Sequence, residues 1–297
     1  MHLKLMTWNI AYGYGIGSDG VQYRPKPRAE FERRLTDMAE LIRREQADIV
    51  LLQEVDFHAR RSHFIDEMEY LRERSGLAYA AACVSWNHPY VPFPYWPLSY
   101  HFGRVKSGGA VLSRFPVLEN RPVLHEKPRK NPWWYNWFYL GRYSQWVKIQ
   151  GPGGEFWVAN NHFDAYDGEN RESHARRLGQ FAEEMRMNGA RVLGFGGDLN
   201  TTPPEATVKH GFADYTRDDY RGDRAIETLR GLAGFREVVG IDEYVAQESR
   251  YFTFPSVAPT RRLDYLFVDA EARMEGHRII STGDLSDHLP LIALVDS

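Results

Sequence analysis

The chain has 297 residues, 43% of them hydrophobic and 26% charged, with a formal net charge of −3. This composition supports a full hydrophobic core and lacks the overall basic surplus common among nucleic-acid binders, although a local basic patch stays compatible with it. Cys83 is the single cysteine, which excludes an internal disulfide and reads as a small core residue.

Apolar runs and amphipathic stretches alternate with no repeat, low-complexity linker or charge block to divide them, so residues 1–297 read as one domain. Residues 3–10 predict a strand. Residues 28–46 predict a helix, because Phe31, Leu35, Met38, Leu41 and Ile42 recur at helical spacing among charges. Residues 48–55 predict a buried strand ending in Gln53-Glu54, 64–75 a helix, and 79–84 a strand. Strands at 108–112 and 117–124 flank a turn at Arg114-Phe115-Pro116. Residues 143–150 and 155–162 flank Gly151-Pro152-Gly153-Gly154, a hairpin turn by composition. A charged amphipathic helix follows at 169–187, then strands at 191–197, 263–268, 278–281 and 289–295. Strands outnumber helices, and hairpins mix with helical crossovers. The expected fold is α/β: two packed mixed β-sheets flanked by helices, a layered sandwich.

Two aromatic insertions interrupt this order, near 84–105 and 126–142. Residues 84–100 hold four prolines and no Lys, Arg, Asp or Glu, which argues for a long loop. Residues 131–140 hold Trp133, Trp134, Trp137 and Phe138 and also read as a loop. The N-terminal residues lack the apolar stretch of ~7–15 residues that marks a signal peptide. No run approaches the ~20 apolar residues of a membrane span. A cytoplasmic protein is therefore the default expectation.

Five polar clusters stand at or beside the ends of apolar runs: Thr7-Trp8-Asn9, Gln53-Glu54, Asn161-His162, Gly197-Asp198-Leu199-Asn200 and Ser286-Asp287-His288. Glu54 closes an apolar strand, where an unpaired carboxylate is costly to bury unless a hard cation such as Mg²⁺ or Mn²⁺ neutralises it. A solvent-facing Glu past the strand end is the plainer reading, as a turn residue is for Asn9. Asp198 and Asn200 share a face if the strand continues, and could hold a water against phosphorus; an Asx turn is the alternative. His288 suits proton transfer near neutral pH and needs a carboxylate to fix its tautomer. Asp264, inside an apolar strand, can supply it, or can pair with Arg261, Arg262 or backbone donors. His162, taken alone, fits a hydrogen-bonded structural histidine.

In combination and in order these pieces resemble the endonuclease/exonuclease/phosphatase superfamily, which includes pancreatic deoxyribonuclease, apurinic endonucleases, inositol polyphosphate 5-phosphatases and neutral sphingomyelinases. The matching pieces are Thr7-Trp8-Asn9-Ile10, Leu52-Gln53-Glu54-Val55, the run 108–116, Asn161-His162-Phe163-Asp164, Gly197–Asn200, the run 262–267 and Ser286–Pro290. The resemblance implies a four-layered α/β sandwich and a Mg²⁺- or Mn²⁺-dependent phosphoric ester hydrolase. It implies that Glu54 is the principal metal ligand, with Asn9 and Asp287 supporting it. Asn200 and His162 would orient phosphate, while Asp198 and His288, the latter held by Asp264, share the acid and base roles. One departure stands out: bacterial members often carry Asn where Gly109 sits, so no substrate contact is carried over to that position.

Which ester is cleaved rests with the insertions. Trp133, Trp134 and Trp137 suit a lipid interface or a hydrophobic phosphodiester, with peripheral membrane contact. Aromatic stacking on bases keeps a nuclease or DNA-repair phosphodiesterase open, with Arg129, Lys130 and Arg142 available to phosphates. A catalytically inactive binding module would show gaps in the catalytic set, and this set has none.

Overall fold

The computed structural model describes residues 2–15 and 25–296. Its strands are β1 (His2–Asn9), β2 (Ile49–Asp56), β3 (Tyr79–Val91), β4 (Gly103–Ser113), β5 (Val117–Leu124), β6 (Tyr143–Gly151), β7 (Gly154–His162), β8 (Val192–Asp198), β9 (Phe235–Glu237), β10 (Asp264–Asp269), β11 (Arg273–Ile279) and β12 (Leu291–Asp296). The helices are α1 (Arg28–Glu45), α2 (Glu67–Ser75), α3 (Trp133–Phe138), α4 (Gly168–Met187), α5 (Ala225–Arg230) and α6 (Ile241–Ala246). One six-stranded sheet runs β11-β12-β1-β2-β4-β3 and the other β5-β6-β7-β8-β10-β9. The β1–β2 and β7–β8 pairs are parallel and the remaining neighbours antiparallel, so both sheets are mixed.

Alternation along each strand builds the layers. Leu3 and Leu5, Ile49 and Leu51, Phe156 and Val158, Leu266 and Val268, and Leu291 and Val295 form one core between the sheets. The intervening residues Met6, Trp8, Val50 and Leu52 face outward with Phe31, Leu35 and Met38 of α1. Trp157, Ala159, Phe195, Tyr265 and Phe267 do the same beneath Ala175, Leu178 and Ala182 of α4. The result is helix, sheet, sheet, helix, as expected. Each fully buried aliphatic or aromatic side chain in it contributes roughly 1.5–3 kcal/mol.

The structure corrects two expectations. Residues 84–91 are not loop: β3 continues to Val91 as the outer strand of its sheet, paired with β4. Pro89 is tolerated because it lies between the His88–Val105 and Val91–Gly103 pairs, where the register shifts on an edge strand. Within 131–140, Trp133–Phe138 form one short helix after Pro132. Among the described residues no helix is long and apolar enough to cross a membrane.

A polar lock closes the inter-sheet core below the site. Gln53 Nε2 donates to Asn160 Oδ1 at 2.6 Å, and Asn160 Nδ2 donates to the Leu52 and Ala110 carbonyls at 2.8 and 3.2 Å. Asn160 is fully buried, so its loss strands these partners. Asn160→Ala should destabilise the fold by about 1–3 kcal/mol in urea unfolding, with the slope unchanged. An unchanged midpoint would show that the lock is dispensable.

Candidate active site at one end of the sandwich

The rows that fill the inter-sheet core turn polar at one end. After Leu3 and Leu5, the same face of β1 carries Thr7 and Asn9; after Phe156 and Val158, β7 carries Asn160 and His162. Asp198 ends β8 and Asp264 opens the antiparallel neighbour β10, and the two stand opposite each other in register. His288 precedes β12, which runs antiparallel to β1, so it returns to the same end. Glu54 needs a special device. Alternation would send it outward with Val50 and Leu52. A bulge between Leu52 and Val55, with Glu54 at φ 54°, breaks the alternation and turns its carboxylate to within 3.8 Å of His162 Nε2.

Asp198 is the hub. Its Oδ2 accepts from Asn9 Nδ2 at 3.0 Å and from Asn200 Nδ2 at 3.1 Å, and its Oδ1 accepts from the Asn200 N–H at 2.9 Å. His162 Nε2 and His288 Nε2 lie 3.4 and 3.7 Å from the same Oδ2. Burial alone would raise the Asp198 pKa, but His288, His162 and Asn9 more than offset it and hold the carboxyl well below the usual range. Asn200 therefore meets Asp198 through an Asx turn, at φ 52°, rather than through strand periodicity. Its amide nitrogen is shared between Asp198 and the Phe163 carbonyl, so it braces the carboxylate directly.

His288 Nδ1 and Asp264 Oδ2 are 2.7 Å apart in a buried pair. Burial disfavours the imidazolium, yet Asp264 and Asp198 raise its pKa to about 10. The backbone of this turn is pinned by Ser286, whose Oγ donates to the Asn9 carbonyl at 2.6 Å, and by Trp8 Nε1, which donates to the His288 carbonyl at 3.0 Å. Asp287 rises to about 6, through burial first, with His288 opposing and Glu54 and Asp198 adding to it. Glu54, Asp198 and Asp287 thus crowd negative charge into one buried corner. Carboxylate and amide oxygens in such excess fit a hard divalent cation of the Mg²⁺ or Mn²⁺ kind. Asp198, Asp264 and His288 also bring ligand atoms within 4.8 Å of one another. In that trio, however, Asp264 already binds His288 and Asp198 already accepts three hydrogen bonds.

The sequence offered Arg142 only together with Arg129 and Lys130 as a cation available to phosphates, not as a member of the catalytic set. Arg142 is buried, its Nη1 faces His162 Nε2, and its Nε has no partner. Among the described residues no carboxylate comes within ion-pair distance of it. Burial works against its charge, but Asp164, Tyr139, Glu54 and Tyr12 outweigh that and keep it a cation. A buried guanidinium with a free donor is equipped to receive an anion. The hairpin held the signal: counting back from Gly151–Gly154 places Tyr143 opposite His162, and Arg142 one residue further. Tyr143 also accounts for Gly109, where a Cβ would overlap the tyrosine hydroxyl. Asn161, in contrast, points away and bonds the Ala159 and Gly196 carbonyls. Trp133, Trp134 and Trp137 lie exposed on α3.

The sequence pattern of the Endonuclease/Exonuclease/phosphatase family matches residues 6–288. The chain belongs to that family. Members of the endonuclease/exonuclease/phosphatase family hydrolyse phosphoesters, and the solved structures that resemble this chain share its sandwich. A family member from Beutenbergia cavernae superposes with a TM-score of 0.63 at 19% identity, over 99% of this chain and 71% of that one. TDP2 from D. rerio, complexed with a single-strand DNA product, gives 0.64 at 15% identity over 100% and 99%. The mannosyl-6-phosphatase of Bacteroides thetaiotaomicron gives 0.62 at 17% identity over 99% of each chain. At such identities the likeness is one of fold. No curated protein sequence matches this chain.

Arg142→Met should weaken binding of inorganic phosphate by roughly 10- to 150-fold, the loss of a charge-assisted hydrogen bond of about 1.5–3 kcal/mol. Calorimetric titration in chelator, on protein shown folded by circular dichroism, measures this. Equal affinity would remove Arg142 from the site.

Proposed function

We propose that the protein is a divalent-metal-dependent phosphoesterase that cleaves a phosphodiester or phosphomonoester by in-line attack of an activated water. The observation that carries this reading is the meeting of Glu54, Asn9 and Asp287 with Asp198 and the Asp264–His288 pair at one rim. A Mg²⁺ or Mn²⁺ ion held by Glu54, Asn9 and Asp287 would supply Lewis-acid polarisation of a phosphoryl oxygen and stabilise the leaving oxygen.

The chain's own groups divide the remaining work. Asp198, fixed by Asn9 and Asn200, holds the attacking water and accepts its proton. The pairing of His288 Nδ1 with Asp264 presents Nε2 as a donor toward the phosphoryl group rather than as a second base. His162 and Arg142 complete the cradle for developing negative charge, where each such donor contributes a few kcal/mol. No covalent enzyme intermediate is required.

The choice of ester follows the aromatic insertions. A hydrophobic or lipid phosphodiester with peripheral membrane contact rests on exposed Trp133, Trp134 and Trp137 alone. The neighbours above bring a single-strand DNA product and a mannosyl-6-phosphatase but no lipid ester, which gives a nuclease or DNA-repair phosphodiesterase standing as the second reading.

Hydrolysis of bis-p-nitrophenyl phosphate should require Mg²⁺ or Mn²⁺ and stop in chelator. Glu54→Gln should lower kcat/KM roughly 100- to 1,000-fold, as loss of a group acting on transition-state charge does. Activity indifferent to chelator and to Glu54→Gln, or a folded protein inert toward every phosphoester, would defeat the hydrolase reading.

A further inference from the structure

Arg142 is followed in the chain by a second buried donor that the proposed chemistry leaves unused. Tyr143 opens β6 with no surface exposed, and among the described residues its hydroxyl has no protein partner. Elsewhere in the core such phenols are spent on protein acceptors. Tyr14 donates to the Arg61 carbonyl at 2.7 Å, while Tyr139 donates to Asp164, Tyr244 to Glu248 and Tyr265 to the Thr201 carbonyl, each at 2.9 Å. An unpaired buried hydroxyl is costly, and one at the edge of a binding site points to a ligand.

Three contacts place this hydroxyl. Tyr143 and His162 are register partners across β6 and β7, and their rings meet edge to face with centroids 6.2 Å apart. The side chain then crosses the inter-sheet space to β4, where a Cβ on Gly109 would come within 2.0 Å of the phenol oxygen. Gly109 is the residue that the β2 bulge faces. Leu52 pairs with Ala110 and Val55 with Gly108, so Gln53 and Glu54 both stand against Gly109. The hydroxyl thus reaches the corner in which Glu54 approaches His162 Nε2 at 3.8 Å. Cys83 pairs with Gly109 from the other side, yet the hydroxyl makes no bond to its sulfur.

We infer that Tyr143 is a further ligand-binding residue of the site, its hydroxyl donating to an oxygen of the phosphoryl group held beside His162 and Arg142. The inference rests on the hydrolase reading for the identity of that group. A phenol stays protonated at neutral pH, so an anionic oxygen is the partner its O–H is equipped for. Arg142 and Tyr143 present two unmet buried donors, a guanidinium N–H and a phenol O–H, from consecutive residues. Glycine at 109 follows from the same arrangement, since any side chain there would take the space through which the phenol reaches across.

The test uses Tyr143→Phe, which keeps the ring on His162 and removes one oxygen. Calorimetric titration of the full chain with inorganic phosphate in chelator should show affinity lowered by about tenfold or more. Urea unfolding without phosphate should show a midpoint unchanged or higher, because the variant no longer buries an unpaired hydroxyl. Equal affinity in the two proteins, or a wild type that binds no phosphate, overturns the inference. A midpoint that falls without phosphate also overturns it, as the result expected of a hydroxyl committed to a fixed structural water. Neither measurement needs turnover, which separates this inference from the hydrolase reading. Weaker phosphate binding at an undiminished midpoint upholds it even in a protein inert toward esters, and equal binding overturns it even in an active one.

Discussion

Everything at the candidate site depends on strand alternation across the interface of the two sheets. One face of β1, β2, β7 and β10 is apolar through the middle of the sandwich and polar at one end. Because the sheets are packed together, the polar ends of their inner rows are forced into one small volume. Asn9 and Gln53 arrive from one sheet, and His162, Asp198 and Asp264 from the other. A one-residue slip in any of these strands would turn its polar residue toward the helices and its neighbours into the site. The Gln53–Asn160 lock sits at the boundary where apolar packing gives way to hydrogen bonding, and it ties the sheets together there.

That convergence creates an electrostatic problem which the rest of the site addresses. Glu54, Asp198, Asp264 and Asp287 are brought close together in partly or wholly buried positions, and burying uncompensated charge is costly. Asp264 is balanced by His288, and Asp198 by two histidines and two amides. Around them stand two buried guanidiniums. Arg61 makes a two-pronged pair with Asp56 at 2.9 Å and stacks on Tyr12 at 3.5 Å, bracing the strand that carries Glu54. Among the described residues Arg142 has no such carboxylate partner. Glu54 has only His162 Nε2, at 3.8 Å, among the ion pairs of the described residues. The charge left over is thus negative beside Glu54 and positive at Arg142, the pattern expected of a site that takes a cation together with a phosphate.

Strands with strong alternation and clear turns were legible in the sequence. The hairpin around Gly151–Gly154 and the helices under Phe31–Ile42 and 169–187 all follow from spacing and turn chemistry. The edge strand through Pro89 was not, because proline disfavours a strand unless a register shift at an edge accommodates it. The short elements α5, β9 and α6 lie where no period persists long enough to register. At the site, His288 with Asp264 could be anticipated from an acid buried in an apolar strand. The aim of Glu54 could not, since it depends on a bulge and a left-handed backbone that composition does not announce. Arg142 was visible only as one of three cations available to phosphates, because its place in the site depends on the hairpin register that sets it beside His162.

The central proposal is that this rim holds a divalent cation at Glu54 and Asp287, beside Asp198, which handles the water, and His288, which faces the phosphoryl group. Anomalous diffraction from crystals grown with Mn²⁺ tests it most directly. The account predicts a strong peak about 2.0–2.3 Å from a Glu54 carboxylate oxygen, with Asn9 or Asp287 near it, directly or through water. A peak confined to the exposed His2, Glu275 and Asp296 group, one seated between Asp264 and His288, or no bound Mn²⁺ at all would contradict it.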